Sequence, residues 1–257
     1  MLRKQSKLML VMIVVIFMFS FIGNASAITL LDQITGDEVQ TDAAYKNAAY
    51  KLKQLGIIEG YPDGSFGVDK TISRAEFAKI VVHMAGMQSV ADDVTKTPSC
   101  FQDIKTADWF NGFVNITAAQ GYMKGEPNGN FRPSDNINEA EVVTVLLRIL
   151  GYNDNLSREW PSDYISKAAN LGILYNITFV SCKDITRGKV FILCTATLEQ
   201  NVVQYNAISN TFENAIKVEA DIIENGDQEK EVPYTLLQKK IQNDHRERTV
   251  EIITKTE

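Results

Sequence analysis

Two arginines stand at predicted helix starts, where a cation is unwelcome. Arg74 follows Ser73 and Arg187 follows Thr186, and each Ser or Thr is a good N-cap for the apolar-periodic segment behind it. The first turn carries the positive end of the helix dipole, so a cation there costs about a few tenths of a kcal/mol. The corresponding residue in a middle copy is Glu139, the sign the dipole favours. A guanidinium held against the dipole, beside backbone N–H groups that lack a helical partner, makes a site for a carboxylate. The alternative partner is an acid of a neighbouring segment, such as Asp63 or Asp69. Trp109 and Trp160 each lie twelve residues before a helix-ending glycine. They serve either interior packing or stacking of a ring face on a sugar, and one side chain can do both.

Other chemistry is thinly represented. The two histidines are His83, expected on a helix surface, and His245, in a charged stretch. Neither a Gly-x-Ser-x-Gly nor a His-Glu-x-x-His stretch occurs. The Asp63 to Asp69 loop resembles a calcium loop only superficially, because Ser65 and Gly67 stand where alternate acids are needed. Cys100, Cys182 and Cys194 show no metal spacing. Cys194 falls on an apolar stripe and reads as a small buried hydrophobe, while a Cys182–Cys194 or a Cys100–Cys182 disulfide stays open. No cofactor, metal or catalytic group is expected.

The elements that position the arginines recur along the chain. Aligning Gly56, Gly121 and Gly172 brings Ile72 and Ile137 to 16 residues after their glycines and Ile185 to 13. Each copy reads as helix, turn-rich loop, helix. The glycine suits a left-handed helix end, and Tyr61-Pro-Asp-Gly64 and Glu126-Pro-Asn-Gly129 carry turn chemistry. The second helix opens at Ser73, Asn138 or Thr186, with Glu76 and Glu141 three residues on as capping-box partners. Its apolar face is Phe77, Ile80, Val81 and Met84, then Val142, Val145, Leu146 and Ile149, then Val190, Leu193, Cys194 and Thr197.

Arg3, Lys4 and Lys7, the apolar run Leu8 to Ile22, and Ala25 and Ala27 fit a signal peptide over residues 1–27. Its removal leaves 230 residues with formal net charge −9. That acidity argues against nucleic acid as a partner, and no membrane association is expected after cleavage. Copies are expected at 41–98, 99–152 and 153–203, with polar links at Gln88 to Ser99 and Asn153 to Glu159. Residues 204–257 form a further small region. Alternation over Ile216 to Ile223 and Thr249 to Thr254, with Asn225-Gly226 as a turn, predicts strands there. Some fifty residues are too few for an ordinary catalytic domain.

GYPDGSF followed by ISRAEFAKIV resembles the S-layer homology (SLH) motif of bacterial cell-surface proteins, which usually occurs as three tandem copies. The likeness runs from about Thr41 to Asn201. It is strongest in the first copy, clear in the second (Phe101, Asp103, Trp109, GEPNGNFRP, INEAE), and degenerate in the third, where Trp160 and ITRGK remain. The resemblance implies a mainly α fold, with three helix-loop-helix repeats in a pseudo-three-fold prism around a central helical bundle. It further implies non-covalent anchoring to the cell wall by binding secondary cell wall polysaccharide that bears a pyruvate ketal, in grooves between repeats. The ligand residues it implies are Arg74 and Arg187, the loop residues Gly60, Asp63 and Gly64, and Trp109 and Trp160. Glu139 would repel a carboxylate, and the third loop lacks its Pro-Asp-Gly turn, so one good site is expected around Arg74 and at most a weaker one around Arg187. The alternative is a structural subunit of a surface layer, or the surface partner of an enzyme, with the repeats in contact with other surface-layer proteins.

Overall fold

A computed structural model describes residues 42–156, 159–175, 177–221 and 228–245, with side chains described outside 217–232. The expected signal peptide, the Asn225-Gly226 turn and the 249–254 strand lie outside the described residues. Among the described residues no helix is long and apolar enough to cross a membrane.

The fold is mainly helical. In chain order the helices are α1 (Asp42–Gln54), α2 (Arg74–Met84), α3 (Gln88–Asp93), α4 (Asn111–Ala119), α5 (Glu139–Ile149), α6 (Ser162–Asn170) and α7 (Arg187–Leu198). An eighth, α8, covers 236–245. Strands β1 (Val203–Asn206) and β2 (Thr211–Asn214) form one antiparallel pair, and β3 (Ile216–Asp221) and β4 (Gln228–Pro233) form another. The expected caps are in place. Ser73 and Asn138 each close a reciprocal capping box with Glu76 and Glu141, and Thr186 caps α7 through Lys189 N. All twelve residues of the predicted apolar faces of α2, α5 and α7 are buried.

The helices do not pair within their own repeat. First helices pack on the second helix of another unit: α4 on α2, α6 on α5, and α1 back on α7. Short backbone bridges follow the same order, Ser73 with Asn136, Asn138 with Asp184, and Thr186 with Thr71. The first two N–H groups of each second helix donate to the loop of the next unit. Arg74 N and Ala75 N reach Asp135 O and Pro133 O, Glu139 N and Ala140 N reach Lys183 O and Ser181 O, and Arg187 N and Gly188 N reach Lys70 O and Val68 O. The ring of contacts closes on itself.

Several expectations are corrected. The polar link after Met87 contains α3, which buries Ala91 against Val82 and Ile116. The disulfide question left open by the sequence is answered by three free thiols at Cys100, Cys182 and Cys194, and the reading of Cys194 as a buried small hydrophobe holds. Cys194 is fully buried, and burial pushes its thiol up. His83 is half-buried rather than on the helix surface. Its Nδ1 lies 2.9 Å from Gly56 O, and burial lowers its pKa.

Residues beyond 203 pack onto the repeats. Leu236 is fully buried in the main core, Asn243 donates to Ala85 O, and Val203 N donates to Leu150 O. The helix α8 is not among the elements expected from the charged stretch around it, yet Thr235 and Gln238 form a capping box that the sequence does spell. Gly151, at φ +106°, meets the Val203 carbonyl so closely that a built Cβ would stand 1.9 Å from its oxygen. Gly151→Ala is therefore expected to destabilise by more than the roughly 1 kcal/mol that a strained φ alone costs. Gly56→Ala, at φ +68° with open space around it, should show that smaller cost. Urea unfolding of the two variants distinguishes them.

Candidate functional site

The Arg74 side chain is 4% exposed and spans the junction with the next unit. Its Nε donates to Phe131 O at 2.8 Å, Nη2 to Lys124 O at 2.9 Å, and Nη1 to Glu141 Oε1 at 3.1 Å. Its ring partner is Phe131, 4.8 Å from the guanidinium carbon. Arg187 repeats the arrangement one junction away, with Nε to Phe66 O at 3.1 Å and Nη1 to Glu76 Oε1 at 3.3 Å. The partner acids are thus Glu141 and Glu76 rather than Asp63 or Asp69. Each of these glutamates caps its own helix with Oε2 and takes the foreign arginine with Oε1. Burial lowers the Arg74 pKa, and Glu141 works against that shift.

Arginine and glutamate stand two residues apart in Arg-Ala-Glu. On a helix that separates them by about 200°, so the two cannot pair with each other. Each must look to another unit, a signal the sequence contained. The backbone N–H groups expected to receive a carboxylate are likewise spoken for, by the neighbouring loop carbonyls.

Beside each arginine lies a groove. The Arg74 groove, about 210 Å³, is lined by Met123 and Lys124 of the second loop, Glu141, Thr144, Val145 and Arg148 of α5, and Trp160. The Arg187 groove, about 230 Å³, is lined by Gly60 and Tyr61, by Glu76 and Lys79 of α2, and by Trp109. The two grooves divide the residues singled out in the sequence. Gly60 belongs with Arg187 and Trp109, while Arg74 faces Trp160. Asp63 and Gly64 line neither groove; Asp63 Oδ1 accepts from Ser65 N at 2.9 Å and holds its own turn. Trp109 and Trp160 are 57% and 55% exposed, so neither is core. Trp109 rests against Phe110 and Phe113, and Trp160 donates its Nε1–H to Thr144 Oγ1 at 2.9 Å.

The third junction carries the same pair with its signs exchanged. Glu139, 1% exposed, occupies the arginine position, and Lys189 occupies the glutamate position. Lys189 Nζ donates to Glu139 Oε1 at 2.6 Å and to Thr178 O at 2.7 Å, and Val180 N donates to Glu139 Oε2. Glu139 is consumed as a structural ion pair, so it faces no ligand. Ala44 stands where the other junctions have tryptophan.

The family model of the S-layer homology domain matches residues 36–78 and 101–143. Two stretches of the chain are thus similar to the S-layer homology domain. The matches span the first helix and loop of the first two helix-loop-helix units and end within the opening turns of α2 and α5. The chain is 37% identical over 163 residues to the middle cell wall protein of Brevibacillus brevis, covering 63% of this chain and 15% of that protein. It is 29% identical over 194 residues to a cell surface protein of Thermoanaerobacter kivui, covering 76% and 25%. A cellulosome-anchoring protein of Acetivibrio thermocellus is 34% identical over 106 residues, covering 40% and 24%. The chain spans about a quarter or less of the length of these curated relatives. The SLH match and the relatives locate it outside the cell, at the wall surface.

Two outcomes follow from the junctions. Lys189→Ala leaves Glu139 buried without a counter-ion and is expected to cost about 3 kcal/mol, whereas adding Glu139→Ala recovers part of that loss. Urea unfolding of the singles and the double measures the coupling. Near the Arg74 groove, Asp154 accepts from Lys124, from Arg148 Nη2 at 3.0 Å and from the Tyr164 hydroxyl at 3.0 Å. The Lys124 contact first, then those of Arg148 and Tyr164, push its carboxyl down from 3.8 to about 2. A depressed carboxyl stabilises the fold above pH 3.8 and ceases to do so as pH falls toward 2. The thermal midpoint of Asp154→Asn should accordingly sit below that of the unaltered chain at pH 5 and converge with it at the acid end.

Proposed function

We propose that the chain anchors an exported protein to the cell wall without a covalent link, by binding an anionic polysaccharide in the Arg74 groove. Charge supports this groove as the main site. Three cations, Arg74, Lys124 and Arg148, meet one carboxylate, Glu141, in its lining, whereas the Arg187 groove sets Arg187 and Lys79 against Glu59 and Glu76. The exposed Trp160 face gives a sugar ring a stacking surface, and Arg148 and Lys124 give an acid substituent its counter-charge in exchange for Asp154, which they hold here. Arg74 already has three bonds, so it contributes mainly field and wall shape. A pyruvate ketal on a secondary wall polysaccharide is the acid substituent in this proposal. The fold that carries it is a pseudo-three-fold prism whose third, degenerate repeat is the unit containing α6 and α7. Binding involves no catalytic step.

Arg74→Ala tests stability as much as binding, since it strips Glu141 of a buried partner and two carbonyls of their donors. Trp160→Ala is the cleaner probe. It is expected to weaken binding to purified wall polysaccharide by about tenfold, as truncation of a tryptophan anchor does, and Trp109→Ala by less. Chemical removal of the ketal from the polymer should abolish the difference between Trp160→Ala and the unaltered chain only if the acid group is what seats the sugar. Unaltered affinity in Trp160→Ala overturns the assignment of this groove.

A further inference from the structure

A larger cavity, about 430 Å³, adjoins the Arg74 groove and shares Lys124 and Arg148 with it as a common wall. It opens between the end of α5, the Asn153–Asp154 turn, the start of β1, and α8, which contributes Lys239. No family match reaches α8, because the matched residues end at 143. Its volume lies in the range of small-ligand sites.

The charges around it are unusual in their pairing. Lys239 is half-buried, and its ammonium has no hydrogen-bond or ion-pair partner among the described residues; burial lowers its pKa. The neighbouring Lys240, by contrast, is paired with Asp244. A lysine taken partly out of water without a counter-charge is costly unless something supplies one. On the opposite wall Lys124 and Arg148 are both bound to Asp154, a carboxylate on an exposed turn whose side chain is 60% exposed. Asp154 therefore sits where an incoming carboxylate would sit, and it is exposed enough to yield.

We infer that this cavity is a second subsite for the same polymer, in which Lys239, Lys124 and Arg148 receive the acid group of a sugar adjacent to the one stacked on Trp160. It rests on the anchoring proposal for the identity of the polymer. The region beyond residue 203 thereby becomes part of the binding surface, and Asp154 acts as an internal stand-in that the polymer displaces.

The test compares the full chain with Lys239→Gln, Lys239→Arg and Asp154→Asn on native acidic wall polysaccharide and on the same polymer with its carboxylates reduced to alcohols. Lys239→Gln should bind the native polymer about fivefold more weakly, as loss of one partly exposed ion pair predicts, and the reduced polymer no differently from the unaltered chain. Lys239→Arg should keep the native affinity. Asp154→Asn releases Lys124 and Arg148 and should bind the native polymer more tightly. Equal native affinity in Lys239→Gln and the unaltered chain overturns the subsite while leaving the Trp160 groove to its own test. Should the unaltered chain fail to bind wall polymer at all, the anchoring proposal falls, and tetragalacturonate calorimetry judges the cavity alone. Heat of binding that Lys239→Gln removes supports the subsite, and its absence in the unaltered chain overturns it.

Discussion

The structure depends on where the first N–H groups of three helices find acceptors. An α-helix leaves its opening donors without intrahelical partners, and burying them unmet is expensive. Here the cap side chain takes the third donor of α2 and α5, while loop carbonyls of the next unit take the first two. No unit can complete its own helix start. The arginine that follows each cap in α2 and α7 extends the same device by one side chain, reaching a further loop carbonyl and the capping glutamate of the neighbour. Local helix preference loses to this junction, because a few tenths of a kcal/mol of unfavourable dipole is small against a buried, multiply bonded guanidinium.

The grooves are a by-product of the offset between sequence repeat and packing partner. Each gathers its wall from three units: an arginine from one, a loop and second helix from the next, and a tryptophan from the one after. That explains why Arg74 and the loop residues that stand closest to it in sequence part company in space. It also explains the sign exchange at Glu139 and Lys189. Their junction keeps an ion pair of the same kind while lacking the arginine and the tryptophan of the other two.

Much of the fold was legible because its signals are local. Caps at Ser73, Asn138 and Thr186, left-handed glycines after the first helices and the apolar faces of three helices are all read within a few residues, and each stands as expected. What was not legible is pairing across the chain. Arg74 and Glu141 are 67 residues apart, and Arg187 and Glu76 are 111 apart, so nothing in their spacing names the partner. The Arg-Ala-Glu geometry did say that the two charges point away from each other. The docking of α8 was hidden for another reason. Leu236 is the fully buried residue of a helix whose other positions are mostly Gln, Lys, Asn and Asp, too sparse a pattern for periodicity to detect, and its Thr-x-x-Gln cap is the one local signal it carries.

A ring closed through carbonyls has a consequence for a chain that is made N-terminus first. Val68 and Lys70, near the beginning, accept from Gly188 and Arg187, near the end of the ring, so the opening unit waits for the last to emerge before its own loop is tied down. A chain that stops short of Arg187 leaves Glu76 Oε1 and the carbonyls of Val68 and Lys70 without these partners, an unfinished edge. A closed surface therefore requires the whole ring, and no leading part of it can close alone.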